Sequence, residues 1–330
     1  MCVYKLNYFM NRALPLKDVR VVEVKSEIAA GTRGASMGID ALKIASLDFQ
    51  SDYFTRFDSD EVETVNEILF DGSEHTYAKF IDGVLTMEER VCSQVAKVLQ
   101  SGYFPIVLAG DHSTAAGTIC GIKQANPDQR IGVVWIDAHA DMHTPYTTPS
   151  GNMHGMPLAM VAALDNKECQ INNLPTDTIE LWDKLKKVGG AGPKINLSDV
   201  VFISARDFEQ PENYLLKAHH ITNFTTDEVR AEGAHVIASR TLEALRECDL
   251  IYISFDVDSM DTKFSVGTGT PVPNGLTVEE AKTLNTLLIK EPKVIAWEMV
   301  EVNPTLDTEN KMAENAFEIL EATTNALLEA

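Results

Sequence analysis

Apolar residues along this chain arrive in short continuous runs rather than at every second position. Three runs dominate: PIVLAG at 105–110, IGVVWID at 131–137 and LIYISFDVD at 250–258. Weaker ones are VRVVEV (19–24), VVFISARD (200–207) and VIAWEMVEV (294–302). Uninterrupted β-branched runs of this length predict strands buried on both faces, as in a parallel sheet. Between them lie helical patterns. The segment 86–102, TMEERVCSQVAKVLQSG, opens on Thr86-x-x-Glu89 and closes on Gly102, predicting a helix capped by that threonine. A second Thr-x-x-Glu, Thr277 with Glu280, opens the helical pattern 276–290, and residues 310–329 predict a long amphipathic helix.

Strand alternating with helix implies an α/β chain with a doubly wound, mainly parallel sheet and helices on both faces. No internal repeat or low-complexity tract divides the sequence, so residues 1–330 are expected to form a single domain. The segment 165–198, with KKVGGAGPK inside it, is expected to be a loop insertion.

Charge narrows the function. Twenty-eight Lys and Arg stand against 49 Asp and Glu, a formal net charge of −21. Clustered cations for a phosphate backbone are missing, which argues against nucleic acid and against an anionic membrane surface. The excess suits a solvated surface, with room for a small cationic substrate or for metal ions. The opening MCVYKLNYFMNRALPLKD has no basic stretch leading into an apolar core, so no signal peptide is expected. The longest apolar stretch, 156–164, is far short of the ~20 residues of a membrane span. Five scattered cysteines (Cys2, Cys92, Cys120, Cys169, Cys248) read as reduced thiols of a cytoplasmic enzyme.

Ligands of an open parallel sheet bind outside the carboxyl ends of its strands, and the polar clusters fall there. PIVLAG runs into Asp111-His112. GVVWI runs into Asp137, His139 and Asp141. IYISF runs into Asp256 and Asp258, and VIAWEMV into Glu301. Strand alternation predicts a common facing for Asp137, His139 and Asp141, and another for Asp256 and Asp258. Carboxylates gathered that closely repel one another and shift upward in pKa. A pair of divalent cations sharing bridging carboxylates removes the conflict. Aspartate and histidine without thiolate favour manganese, with cobalt or iron as substitutes, over zinc.

These motifs in this order resemble the ureohydrolase family, and within it the arginase-like members. The matching blocks are GDHS (110–113), DAHAD (137–141), TPYTTPSGNMHGMP (144–157), SFDVDSMD (254–261), GTGTP (267–271) and EVNP (301–304), with GTRGASMGIDALK (31–43) similar to the family's opening loop. The resemblance implies a three-layer α/β/α sandwich. It implies one manganese held by His112, Asp137, Asp141 and Asp256, and a second by Asp137, His139, Asp256 and Asp258. It further implies hydrolysis of L-arginine to L-ornithine and urea by a hydroxide bridging the two ions. His154 would shuttle a proton to the leaving amine, Glu301 would pair with the guanidinium beside Thr270, and Asp258 would accept a proton from the nucleophile. Thr148, Ser150 and Asn152 match positions that hold the α-carboxylate and α-amino group. Asp207, Glu209 and Glu212 match acidic positions near the α-amino group.

Two positions depart from the arginase pattern. His143 stands where asparagine is usual, and Glu209 where aspartate is usual. Both lie at the specificity end, so another guanidino or formimino substrate (agmatine, guanidinobutyrate, formiminoglutamate) is the alternative, and a non-catalytic metal- or ligand-binding role a third. Family members assemble as trimers or hexamers, so a homo-oligomer is expected. His219 and His220 are expected in a helix with no chemical role. His75 and His235 have no motif around them, and Met153 and Met156 read as packing.

Overall fold

The computed structural model describes residues 18–264 and 266–330; Cys2 and the N-terminal stretch read for a leader lie outside the described residues, apart from Asp18. Among the described residues, eight strands form one sheet: β1 (Asp18–Val24), β2 (Ser59–Glu61), β3 (Tyr103–Ala109), β4 (Ile131–Ile136), β5 (Val200–Ile203), β6 (Thr222–Phe224), β7 (Leu250–Asp256) and β8 (Val294–Val300). Their order is β2-β1-β3-β8-β7-β4-β5-β6, and every pairing is parallel.

The continuous apolar runs have the cause inferred for them. β4, β7 and β8 are buried at every position. Alternate residues feed opposite cores: Ile131, Val133 and Trp135 enter one, Val134 and Ile136 the other. Among the described residues, eleven α-helices cover the two faces. Against the first core lie α3 (Ile81–Gln100), α4 (Ala115–Ala125), α5 (Pro157–Val161), α6 (Thr176–Leu185) and α7 (Gln210–Ala218). Against the second lie α1 (Gly38–Asp48), α2 (Tyr53–Arg56), α8 (Thr226–Glu232), α9 (Ala234–Ala244), α10 (Val278–Leu288) and α11 (Lys311–Leu328). Each fully buried aliphatic or aromatic side chain in these cores contributes roughly 1.5–3 kcal/mol.

Three expectations need correction. α3 begins at Ile81, after Phe80 in a left-handed conformation, and not at Thr86. The hydroxyl of Thr86 donates to the Asp82 carbonyl inside the helix and caps nothing. The segment 165–198 contains α6, whose Trp182 is fully buried, so it is only partly loop. His219 caps the end of α7, and His220 follows it at φ 52°, so neither is helical. By contrast α10 starts as expected, with Thr277 and Glu280 forming a reciprocal capping box.

The strand order positions the site. From β3 the chain crosses to β4 on the far side of a gap that β7 and β8 later fill. The carboxyl ends of β3, β8, β7 and β4 therefore make one continuous rim, the place where ligands bind in open α/β sheets.

Candidate metal centre and substrate end

Every acidic and imidazole cluster expected at a strand end lies on this rim, though not through strand alternation. β4 stops at Ile136, so Asp137, His139 and Asp141 belong to the turn beyond it, and Asp258 lies in a 3-10 turn after β7. Local hydrogen bonds fold these turns inward. The Asp137 carboxylate accepts from the His139 N–H at 2.7 Å, and the Asp256 carboxylate accepts from the Asp258 N–H at 2.8 Å. The Asp258 carboxylate in turn accepts from the Ala138 N–H at 3.1 Å, tying the β4 turn to the β7 turn. Asp141 and Glu301 both take left-handed backbone, at φ 49° and 66°. Non-glycine residues hold that conformation only where surrounding contacts enforce it, and it recurs at functional sites.

The side chains converge in two groups. His112 Nδ1 lies 3.1 Å from Asp137 Oδ2, 3.0 Å from Asp141 Oδ2 and 3.1 Å from Asp256 Oδ2. His139 Nδ1 lies 3.0 Å from Asp258 Oδ2 and 3.5 Å from Asp137 Oδ1. Asp137 belongs to both groups, each compact enough for one ion. His112 Nδ1 and Asp137 Oδ2 are buried with no hydrogen-bond partner despite these short distances. An imidazole nitrogen and carboxylate oxygens converging on one point without hydrogen-bond geometry between them fit a coordination shell. The donor set is imidazole and carboxylate only.

Electrostatics point the same way. Burial pushes Asp141 and Asp258 up to about 6, with the Asp137 charge adding to it, and Asp256 is pushed up by burial and by Asp258. Asp137 is held below the usual carboxylate range because the two histidines outweigh its burial. The carboxylates share a space in which they cannot all ionise by themselves. Divalent cations would let them.

His112 is held from behind. Its Nε2 lies 2.8 Å from Ser254 Oγ, and its ring stacks on Trp135 with centroids 4.2 Å apart. The neighbouring Asp111 accepts from Ser113 and from the Ala29 N–H, fastening the β3 turn to the 25–34 loop. Gly110 is required there, because a Cβ would sit 2.1 Å from the Ser26 carbonyl oxygen.

Beside the two groups, the Glu301 carboxylate accepts through Oε1 from the His112 backbone N–H at 3.0 Å and bonds His154 Nδ1 at 3.0 Å. Burial would raise Glu301, but His154 and the His112 N–H outweigh it and hold the carboxyl below its usual range. Its Oε2 faces Gly269. Thr270 donates to Asp258 Oδ2 at 3.2 Å rather than to Glu301.

The residues expected at the specificity end are more heavily engaged than their sequence suggests. Thr148 Oγ1 accepts from the Gly151 N–H, and Ser150 Oγ accepts from the Asn152 N–H, so both hydroxyls shape their own loop. Glu209 and Glu212 form the capping box of α7, and Glu212 also accepts from the Met142 N–H. Burial raises the Glu212 carboxyl to about 7. His143 Nε2 sits 3.3 Å from Glu209 and 3.6 Å from Glu212, with Nδ1 at Thr147. The two residues that depart from the arginase-like pattern are thus in contact. Asp207 is exposed and 3.9 Å from His139 Nε2.

Two residues escaped the sequence. Arg206 donates to the carbonyls of Ser204, Asp258, Val272 and Pro273, joining three rim loops. Lys79 donates through Nζ to Asn152 Oδ1 at 3.0 Å. Neither sits in a motif; Arg206 adjoins Asp207, but Lys79 lies 73 positions from its partner.

A family model described as the arginase family matches residues 17–324. The arginase of Bacillus subtilis (strain 168) is 32% identical over 308 residues, covering 93% of this chain and 97% of that protein. The structure of Entamoeba histolytica arginase in complex with L-ornithine superposes with TM-score 0.79 at 26% identity, over 95% of this chain and 99% of that one. The formimidoylglutamase of Bacillus subtilis subsp. subtilis str. 168 shares the fold, with TM-score 0.70 at 19% identity over 94% and 87% of the two chains.

Proposed function

The chain belongs to the arginase family of hydrolases, and from that premise we propose that it is a single-domain, manganese-dependent enzyme converting L-arginine to L-ornithine and urea. The observation that carries the reading is the pair of residue groups sharing Asp137, with His112 Nδ1 buried and without a hydrogen-bond partner. His112, Asp137, Asp141 and Asp256 would hold one manganese, and Asp137, His139, Asp256 and Asp258 the other; cobalt or iron would substitute. Ions bound there supply the low-pKa water that hydrolysis needs while the guanidinium stays protonated.

The remaining work belongs to side chains. Glu301 presents Oε2 to the guanidinium, since Oε1 already serves His112 and His154. A carboxylate kept ionised there is the natural partner for a planar cation. His154, fixed by Glu301 through Nδ1, hands a proton to the leaving amine through its other nitrogen. Asp258 accepts a proton from the nucleophile, its carboxylate oriented by the Ala138 N–H and by Thr270. The amino-acid end is read by the 148–152 loop, with Thr148, Ser150 and Asn152, and by His143, Asp207, Glu209 and Glu212. L-ornithine, bound in the structurally similar Entamoeba enzyme, is the product this assignment requires. We also propose a cytoplasmic enzyme acting as a trimer or hexamer. No described helix is long and apolar enough to cross a membrane.

The test is urea and ornithine release from L-arginine after manganese loading. No release at alkaline pH from folded, metal-loaded protein overturns the assignment. A second reading keeps the chemistry and changes the substrate to agmatine, guanidinobutyrate or formiminoglutamate. It is favoured by His143 and Glu209, which occupy each other, and a substrate panel decides it.

A further inference from the structure

Lys79 lies outside every motif, yet the fold seats it on the loop assigned to the amino-acid end of the substrate. The 73–80 segment packs on Gly151 so closely that a Cβ there would meet the Thr76 carbonyl oxygen at 2.0 Å, and Gly151 has φ 76°. The Lys79 N–H donates to the Gly151 carbonyl at 2.8 Å, so its backbone is fixed against the loop. Its ammonium donates to Asn152 Oδ1 at 3.0 Å. Because an ammonium can only donate, this bond fixes the Asn152 amide with oxygen toward Lys79, and the amide Nδ2 has no hydrogen-bond acceptor among the described residues. That Nδ2 points toward Gly31, on the loop that also carries the Ala29 carbonyl bonded to the His154 N–H. Lys79 thus holds Asn152, two positions before the His154 that bonds Glu301.

Among the described residues no carboxylate reaches ion-pairing distance of the Lys79 ammonium. The positive charge is therefore unneutralised, half-buried and held in place, in a chain of net charge −21. Such a cation, with an oriented amide donor beside it, fits a carboxylate. At the opposite corner the His143 imidazole is already taken up by Glu209 and Glu212, which leaves carboxylate recognition to the Asn152 side of the pocket.

We propose that Lys79 is the specificity-determining residue for the α-carboxylate, selecting guanidino acids over guanidino amines. This rests on the arginase reading and names which member of the substrate panel the site prefers. The experiment compares wild type, Lys79→Gln and Lys79→Glu on L-arginine and on agmatine, which lacks the carboxylate, together with calorimetric binding of L-ornithine and putrescine. In Lys79→Gln the arginine KM and the ornithine Kd rise about tenfold, the order expected for one charge-assisted contact, with kcat within about threefold. Agmatine and putrescine are unaffected. Lys79→Glu widens the arginine loss and improves agmatine. Equal losses on both substrates would mean that Lys79 only props the loop, and unchanged arginine kinetics would remove it from recognition; either overturns the inference and leaves the arginase reading intact. Wild type that neither hydrolyses arginine nor binds ornithine overturns both.

Discussion

The imidazole of His112 lies flat against the indole of Trp135, their planes 4° apart, while Ser254 Oγ meets the far nitrogen of the same imidazole at 2.8 Å. A ligand held on its face and at its back nitrogen has lost its freedom before an ion arrives. Ser254→Ala is expected to weaken metal binding about 10- to 100-fold, as loss of a ligand's orienting partner does. Competition with a chelator measures this, and kcat at saturating metal should recover most of its value. Unchanged affinity would show that the stack alone orients the ring.

Asp137 is common to both residue groups, so its loss would reach an ion at either. Manganese is expected to raise the Tm of the wild type, and Asp137→Asn is expected to bind less than one equivalent per chain and to lose that rise, since a ligand stabilises only the state that binds it. Elemental analysis and thermal melts with and without metal check both.

His143 and Glu209 contact each other, so restoring the arginase-like pair is a test of both together. The double change His143→Asn with Glu209→Asp should lower the arginine KM several-fold, with the single changes not additive. An unchanged KM would mean that the two residues are a structural pair. Glu209→Ala additionally removes the N-cap of α7, at a cost of about 1 kcal/mol in urea unfolding.

Away from the site, Asp165 accepts from Lys186 at 2.6 Å and from the Trp182 indole N–H at 3.1 Å. Burial would raise its carboxyl, but Lys186 outweighs that and brings it below the usual value. A depressed folded pKa contributes stability above the unfolded carboxylate pKa near 4, and that stability disappears as pH falls through the folded value. Asp165→Asn should therefore unfold about 1 kcal/mol more easily at neutral pH and match wild type in strong acid. A constant difference across pH would deny the linkage.

What the sequence made legible follows from what was local. β4 and β7 announce themselves because burial on both faces leaves no polar position inside them. Thr277 and Glu280 were readable because a capping box lies within one turn of chain. The same signature misled at Thr86, where the apolar stripe Ile81, Val84, Met87 and Val91 already commits the chain to helix five residues earlier. Trp182 hid beside a glycine-rich run that reads as loop. The clusters at the rim were legible as chemistry from their spacing, whereas their grouping came only through the family resemblance. His112 meets Asp256 only because β8 and β7 enter between β3 and β4. Lys79 was invisible for the same reason, since its meaning comes from a partner on another loop.

That strand order also sets when the site can exist. β8, the last strand made, separates β3 from β7, and β7 is needed to join β3 and β8 to β4. A growing chain that has emitted His112, Asp137 and His139 still has two unpaired edges where those residues should meet. Synthesis must pass residue 300 before the middle of the sheet closes. Ion capture at these residues would therefore be a late event in the life of each polypeptide, one that reports the completed middle of the sheet.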